Sequence, residues 1–317
     1  MIKYKLSMNT MHKVKTYSLK NRRSKVSCAD FARPLRKKAS FVDFLRSLPD
    51  ILKAKDLRQV VEAVIAARKG KRSVIFMLGA HVIKCGLSPV LIELLKRRVI
   101  TSICLNGAGV IHDFEIALQG KTSEDVGENL KEGKFGMGKE TAEFINGAVS
   151  EGVAGGLGLG YAVAAKMSAA KLKYKHLSLL HNAYTLGVPV SVFVAIGTDI
   201  IHQHPSFNAR FAGEGSLRDF HTLVAQVRSL NKGGVVLNFG STVILPEVFL
   251  KALNLARNLG STVRDFTTAN FDMIYHYRPA QNVVARPVMA GGKGYYIIGH
   301  HEILLPLLAQ AVIEKMP

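Results

Sequence analysis

Thr101-Ser102-Ile103-Cys104-Leu105-Asn106-Gly107-Ala108-Gly109-Val110 passes from a short β-branched run into a glycine turn and then into a helical pattern. Small residues at such a turn let the backbone approach a ligand, and unpaired N–H groups at the helix start can hold a phosphate or carboxylate. A tight turn that merely needs glycine gives the same string, so the turn alone settles no function. It lacks the spacing of a GxGxxG fingerprint.

Working outward, six such runs recur between longer helical patterns: Ser73–Leu78, Ser102–Leu105, Val190–Ala195, Val235–Phe239, Val263–Thr267 and Tyr295–Ile298. Most are continuously apolar instead of alternating, as expected of strands buried on both faces of a parallel sheet. Helix signals fill the gaps. Ser88 is placed to cap a helix opening at Pro89, Pro246 opens one that stops at Gly260, and Ser216 heads a third running to about Leu230. Strand, helix and strand in alternation predict a doubly wound α/β fold with helices on both faces, whose ligands bind beyond the carboxyl ends of the strands.

The 317 residues, 48% of them hydrophobic and 21% charged, can bury an ordinary core. Residues 1–40 hold 12 Lys/Arg against Asp30 alone, so +11 of the net +20 belongs to this segment. The expectation is a basic, disordered tail over 1–40 and a single domain over 41–317; contact of the tail with nucleic acid is the lesser reading. The uncharged stretch Gly152–Ala165 is too short to span a membrane. Cys28, Cys85 and Cys104 form no CxxC pair and point to a reducing, cytoplasmic setting.

Gly155-Gly156-Leu157-Gly158-Leu159-Gly160 imitates a dinucleotide loop, but no strand precedes it, and close helix packing is the expected role. Polar groups gather at three strand ends, namely Gly197-Thr198-Asp199 with His202 and His204, then Asn238 with Gly240-Ser241-Thr242, then Thr267, Thr268, Asn270 and Asp272. His112, Asp113, His202, His204, His300 and His301 also allow a metal-dependent hydrolase or lyase. A non-catalytic binding protein is the third reading.

In order, Met77-Leu78-Gly79, Asn106–Val110, Gly213-Glu214-Gly215-Ser216-Leu217-Arg218-Asp219, Thr268-Ala269 with Phe271-Asp272, and Leu304-Leu305-Pro306-Leu307-Leu308 resemble the deoxyhypusine synthase family over residues 73–317. The resemblance implies a Rossmann-like subunit, a homotetramer, NAD at the strand ends, and an aminobutyl group passed from a polyamine through a lysine imine to a protein lysine. It assigns Asn106, Gly107, Ala108, Gly109, Thr268, Ala269 and Asp272 to the cofactor, and Glu214 and Asp219 to the amine. The catalytic positions depart from the family. His112 stands where a glutamate is expected, Ala252 where a histidine is, and Asn282–Pro287 where the nucleophilic lysine motif is. Lys293, His112 and His300 are the candidates to replace those groups, with Lys293 supplying the amine that an arginine cannot.

Overall fold

The computed structural model describes residues 11–316. The chain divides into two compact units, Met1–Ala54 and Lys55–Pro317. In the first, residues 1–10 of the expected tail lie outside the described residues, and residues 11–39 are almost wholly exposed, with two 3-10 turns as their main regular structure. Helix α1 (Phe41–Ser47) closes this unit, with Ser40 and Asp43 forming a reciprocal capping box.

The second unit begins within α2 (Leu52–Lys69) and continues β1 (Val74–Leu78), α3 (Ala80–Lys84), α4 (Ser88–Lys96), β2 (Ser102–Asn106) and α5 (Gly107–Gln119). Then come α6 (Val126–Lys131), α7 (Lys139–Ala154), α8 (Leu159–Ala169), α9 (Leu179–Thr185), β3 (Val190–Phe193) and α10 (Ala209–Arg228). The chain ends with β4 (Val235–Phe239), α11 (Ile244–Asn258), β5 (Phe266–Asp272), β6 (Gly292–Ile298) and α12 (His301–Lys315).

The six strands form one parallel sheet in the order β3-β2-β1-β4-β5-β6, with Met77 of β1 beside Cys104 of β2 and Asn238 of β4. This is the doubly wound, Rossmann-like order, in which the chain reverses direction between β1 and β4. All five residues of β1 are buried, which is what its unbroken apolar run requires. Ile75 and Met77 pack with Val227, Phe249 and Leu253 in one core cluster. Phe76 stacks on Phe239 at 5.8 Å, and Phe239 on Phe271 at 4.4 Å.

Several expected boundaries move: β3 ends at Phe193 instead of Ala195, β6 starts at Gly292 instead of Tyr295, and the helix expected to open at Pro246 starts at Ile244. The fifth strand runs over Phe266–Asp272 instead of Val263–Thr267, because Thr268 and Asn270 are buried inside the sheet and do not end it. Ser88 is the first residue of α4, and its buried hydroxyl has no hydrogen-bond partner, so it is no cap. Ser216 lies in the middle of α10, which is capped by Asn208; its hydroxyl donates to the Val192 carbonyl.

The glycine-rich string 155–160 serves close packing. A Cβ on Gly160 would stand 2.7 Å from the Val190 carbonyl oxygen, and one on Gly158 would overlap the Asp219 carboxylate. Among the described residues no single helix is long and apolar enough to cross a membrane.

Candidate functional site at the carboxyl ends of β2 and β3

Helix α5 starts directly where β2 ends. Asn106 caps it, accepting the Gly109 N–H at 3.1 Å. Gly107 is glycine for a steric reason: a Cβ there would lie 2.0 Å from Asp199 Oδ2. Asp199 arrives from beyond β3 and is buried, and its carboxylate accepts the Ala108 N–H. Burial raises its pKa to about 6, and the Ala108 bond opposes the rise. The helix start therefore already holds an anion, one supplied by the protein itself.

His202 Nδ1 accepts the N–H groups of Gly197 (3.1 Å) and Asp199 (3.2 Å), and its Nε2 stands 3.8 Å from Asp199 Oδ2. Burial lowers its pKa and favours the neutral ring. The histidine thus folds the 197–202 turn that brings Asp199 to α5.

Beside this contact open two adjoining cavities of about 230 and 730 Å³ that share Glu115, Ser123, Glu124 and Ile200 in their walls. His112, Asp199 and Lys84 line the smaller one. His112 and Glu115 are one helical turn apart on α5, so they face the same way. Glu115 accepts the hydroxyls of Thr122 (2.5 Å) and Thr141 (3.1 Å), while Glu124 accepts the Gly136 N–H (2.9 Å) and the Asn129 amide (2.7 Å). His112 Nδ1 lies 2.7 Å from Thr122 Oγ1. Burial first, then the nearby Lys84, lowers the His112 pKa, against a rise from Glu115. The site is therefore acidic, with a neutral imidazole in its wall.

The other expected site residues do not converge here. Lys293 is the second residue of β6, paired with Thr267 at the amino end of the sheet. Five residues of strand, roughly 16 Å, separate it from the carboxyl end, so it cannot serve this site. His300 follows β6 and is largely exposed, 3.7 Å from Glu302. Four strand spacings, roughly 19 Å, part the ends of β2 and β6, so His112 and His300 do not act together.

Asp219 does not face an amine. It is buried, and its Oδ2 accepts the N–H groups of Gly160 (2.8 Å) and Val192 (2.7 Å), joining the start of α8 to β3. Glu214 is paired with Arg218 one turn along α10. Thr268 and Ala269 are fully buried inside β5. Asp272 does end that strand; its Oδ1 accepts the Met273 N–H at 2.8 Å, and its buried Oδ2 has no hydrogen-bond partner.

These placements test the expected dinucleotide seat. Asn106 is spent on capping the Gly109 N–H, the Ala108 N–H is held by Asp199, and Thr268 and Ala269 present no surface. An ionised Asp199 repels a pyrophosphate at the same spot. The residues assigned to NAD therefore do not fit it as one seat, although Asp272 Oδ2 and the buried Thr268 hydroxyl have no hydrogen-bond partner.

The metal reading also loses its basis. Among the described residues, no three His, Cys, Asp or Glu side chains stand where they could hold a metal ion. Asp113 is consumed by Ser178 and by the Leu179 and Leu180 N–H groups, and His204 by Ser206.

Lys84, Glu115, Thr122 and Glu124 were not singled out from the sequence, and Asp199 was seen without a role. The one local signal was the pair His112 and Glu115 at helical spacing after a strand end.

No family model matches the sequence, and no curated protein does. Solved structures match in fold. One is AgrE in complex with ornithine and NAD+ (13% identity, TM-score 0.54, over 82% of this chain and 33% of that one). Another is a candidate LOR/SDH protein from Methanococcus maripaludis S2 (16%, 0.50, 88% and 71%). A third is a candidate deoxyhypusine synthase from Entamoeba histolytica (8%, 0.54, 88% and 95%). The chain spans about a third of the length of AgrE and of the arginine dihydrolase ArgZ. At these identities the likeness is one of fold: this chain carries the parallel, Rossmann-like α/β sheet, and its likeness to the candidate deoxyhypusine synthase is of the same kind.

Proposed function

We propose that the protein is an enzyme acting on a small cationic amine, bound in the acidic cavities at the carboxyl ends of β2 and β3 with His112 as the acid–base group. One observation carries this reading. Glu115, Glu124 and Asp199 line joined cavities, and the groups that bond them are hydroxyls, amides and backbone N–H, all neutral. Lys84 and Lys121 are the lysines in the walls against Glu115, Glu124, Glu140 and Asp199, so net negative charge is left for a ligand. An ammonium about 4 Å from one carboxylate gains about 4 kcal/mol at the effective dielectric of such a site, before desolvation.

Two cavities in series suit an extended diamine or polyamine better than a compact monoamine. This keeps the amine half of the deoxyhypusine-synthase-like transfer and assigns no step to a nucleotide. Lys84, at the cavity wall, takes the place given to Lys293 as the amine available for an imine. Cys28, Cys85 and Cys104 are free thiols, which supports a reducing, cytoplasmic setting.

Calorimetric titration with putrescine and spermidine tests the reading, with NAD+ run alongside. Saturable amine binding is expected, weakened about tenfold by Glu124→Gln and further by Glu115→Gln, each tenfold step being about 1.4 kcal/mol. Amine binding that is absent, or unchanged in the double variant, overturns it.

A further inference from the structure

We infer that Thr122 and Glu115 form a hydrogen-bonded chain to His112 that fixes its tautomer and leaves Nε2 as a proton acceptor in the cavity. A single hydrogen fixes the direction of the chain. A threonine hydroxyl has a single hydrogen to donate. Thr122 Oγ1 lies 2.5 Å from Glu115 Oε2, and an ionised carboxylate only accepts, so that hydrogen points to Glu115.

The same oxygen lies 2.7 Å from His112 Nδ1 and must then accept from it. Nδ1 therefore carries the ring hydrogen of neutral His112, and the lone pair is on Nε2. The second carboxylate oxygen is held by Thr141, whose side chain is buried, so Glu115 cannot swing away without stranding that hydroxyl. Base, bridging hydroxyl and carboxylate follow the logic of a catalytic triad, in which a third group orients the base and stabilises its protonated form. Thr122 and Glu115 are positioning residues in this arrangement.

The step rests on the amine reading above. A substrate arrives as R–NH3+; one N–H bond of the ammonium breaks, and the proton forms an N–H bond at His112 Nε2. R–NH2 is released as a free nucleophile, and no electrons change hands. The imidazolium then donates from Nδ1 through Thr122 toward Glu115, whose Oε2 is 3.9 Å from that nitrogen. Nothing else is needed to balance the step.

Nitrogen-15 NMR of the histidine rings in the full chain tests the inference without any substrate. The His112 signals are assigned by their loss in His112→Gln. Wild type is expected to show a pyrrole-type Nδ1 and a pyridine-type Nε2, the reverse of the tautomer that free imidazole side chains favour. Thr122→Val is expected to lose this preference and Thr122→Ser to restore it, and Glu115→Gln provides a second perturbation should the valine variant fold poorly. A wild-type ring protonated on Nε2, or a tautomer indifferent to both Thr122→Val and Glu115→Gln, overturns the chain. Adding spermidine is a separate arm. No response to amine together with the expected tautomer sinks the substrate reading and leaves the chain standing.

Discussion

Asp219→Ala is expected to lower the midpoint of thermal unfolding by roughly 5–20 °C. The substitution strands the N–H groups of Gly160 and Val192, both of which point at a buried carboxylate oxygen. Each stranded donor costs about 1–3 kcal/mol, and about 1 kcal/mol moves the midpoint by roughly 2–4 °C in a domain of this size class. A cavity at the junction of α8 and β3 adds to the loss. A shift of less than about 2 °C by calorimetry would show that the junction does not depend on this carboxylate.

The same residue gives a pH signature. Burial raises the Asp219 pKa to about 7 against two backbone hydrogen bonds that lower it, while the unfolded chain titrates near the ordinary 3.8. A group whose folded pKa is raised binds more protons in the folded state through the interval between the two values. Its contribution is complete below the unfolded pKa and is lost as pH rises through the folded one. That loss is on the order of 4 kcal/mol. Asp219→Asn cannot titrate, so the stability gap between wild type and this variant should shrink from pH 5 to pH 8. Denaturant unfolding at the two pH values measures it, and a constant gap would refute the assignment.

Gly79→Ala is expected to cost more than 3 kcal/mol, although it adds a single methyl group. Its Cβ would lie 2.3 Å from the Gly240 carbonyl oxygen and 2.7 Å from the carbonyl carbon. Both overlapping partners are backbone at the ends of β1 and β4, so no side chain can turn aside, and the cost exceeds the ordinary 1–3 kcal/mol of overpacking. Gly213→Ala is the matched control. It lies within α10 with nothing within 4 Å of the new methyl, and the same change there should stabilise by about 1 kcal/mol through helix propensity. Opposite signs in one denaturation series are the expected result. Equal signs would mean that the ends of β1 and β4 can part at little cost.

The sheet was legible because buried parallel strands must be apolar on both faces, and five of the six strands lie where their apolar runs stand. The fifth escaped this reading because Thr268 and Asn270 are buried within the sheet, where an apolar run is expected. Asn238 donates from Nδ2 to Asn270 Oδ1 at 2.6 Å across the β4–β5 pair, so polarity there does not mark a strand end. The site was less legible, for a topological reason. Asp199 meets Gly107 and Ala108 only because β3 lies beside β2, and no local pattern reports that neighbour. The misplacement of Lys293 could have been avoided. It precedes the run Tyr295–Ile298, and in a parallel sheet what precedes a strand lies at the end opposite the site. The Asp219 segment carried a motif resembling a ligand-binding one, yet here it closes a packing joint.

The pairing of β1 with β4 also governs how the chain can be made. Val74 aligns with Val235, 161 positions later. At about 5–20 residues per second of synthesis, the second strand emerges roughly 8–30 s after the first. In that interval β1 can pair with β2, and β2 with β3, but the other edge of β1 stays open beside the apolar side chains of Val74–Leu78. The sheet's central joint is thus the contact of high order that sets the pace of folding, and a nascent chain stalled before Val235 presents an adhesive edge at the middle of the future sheet.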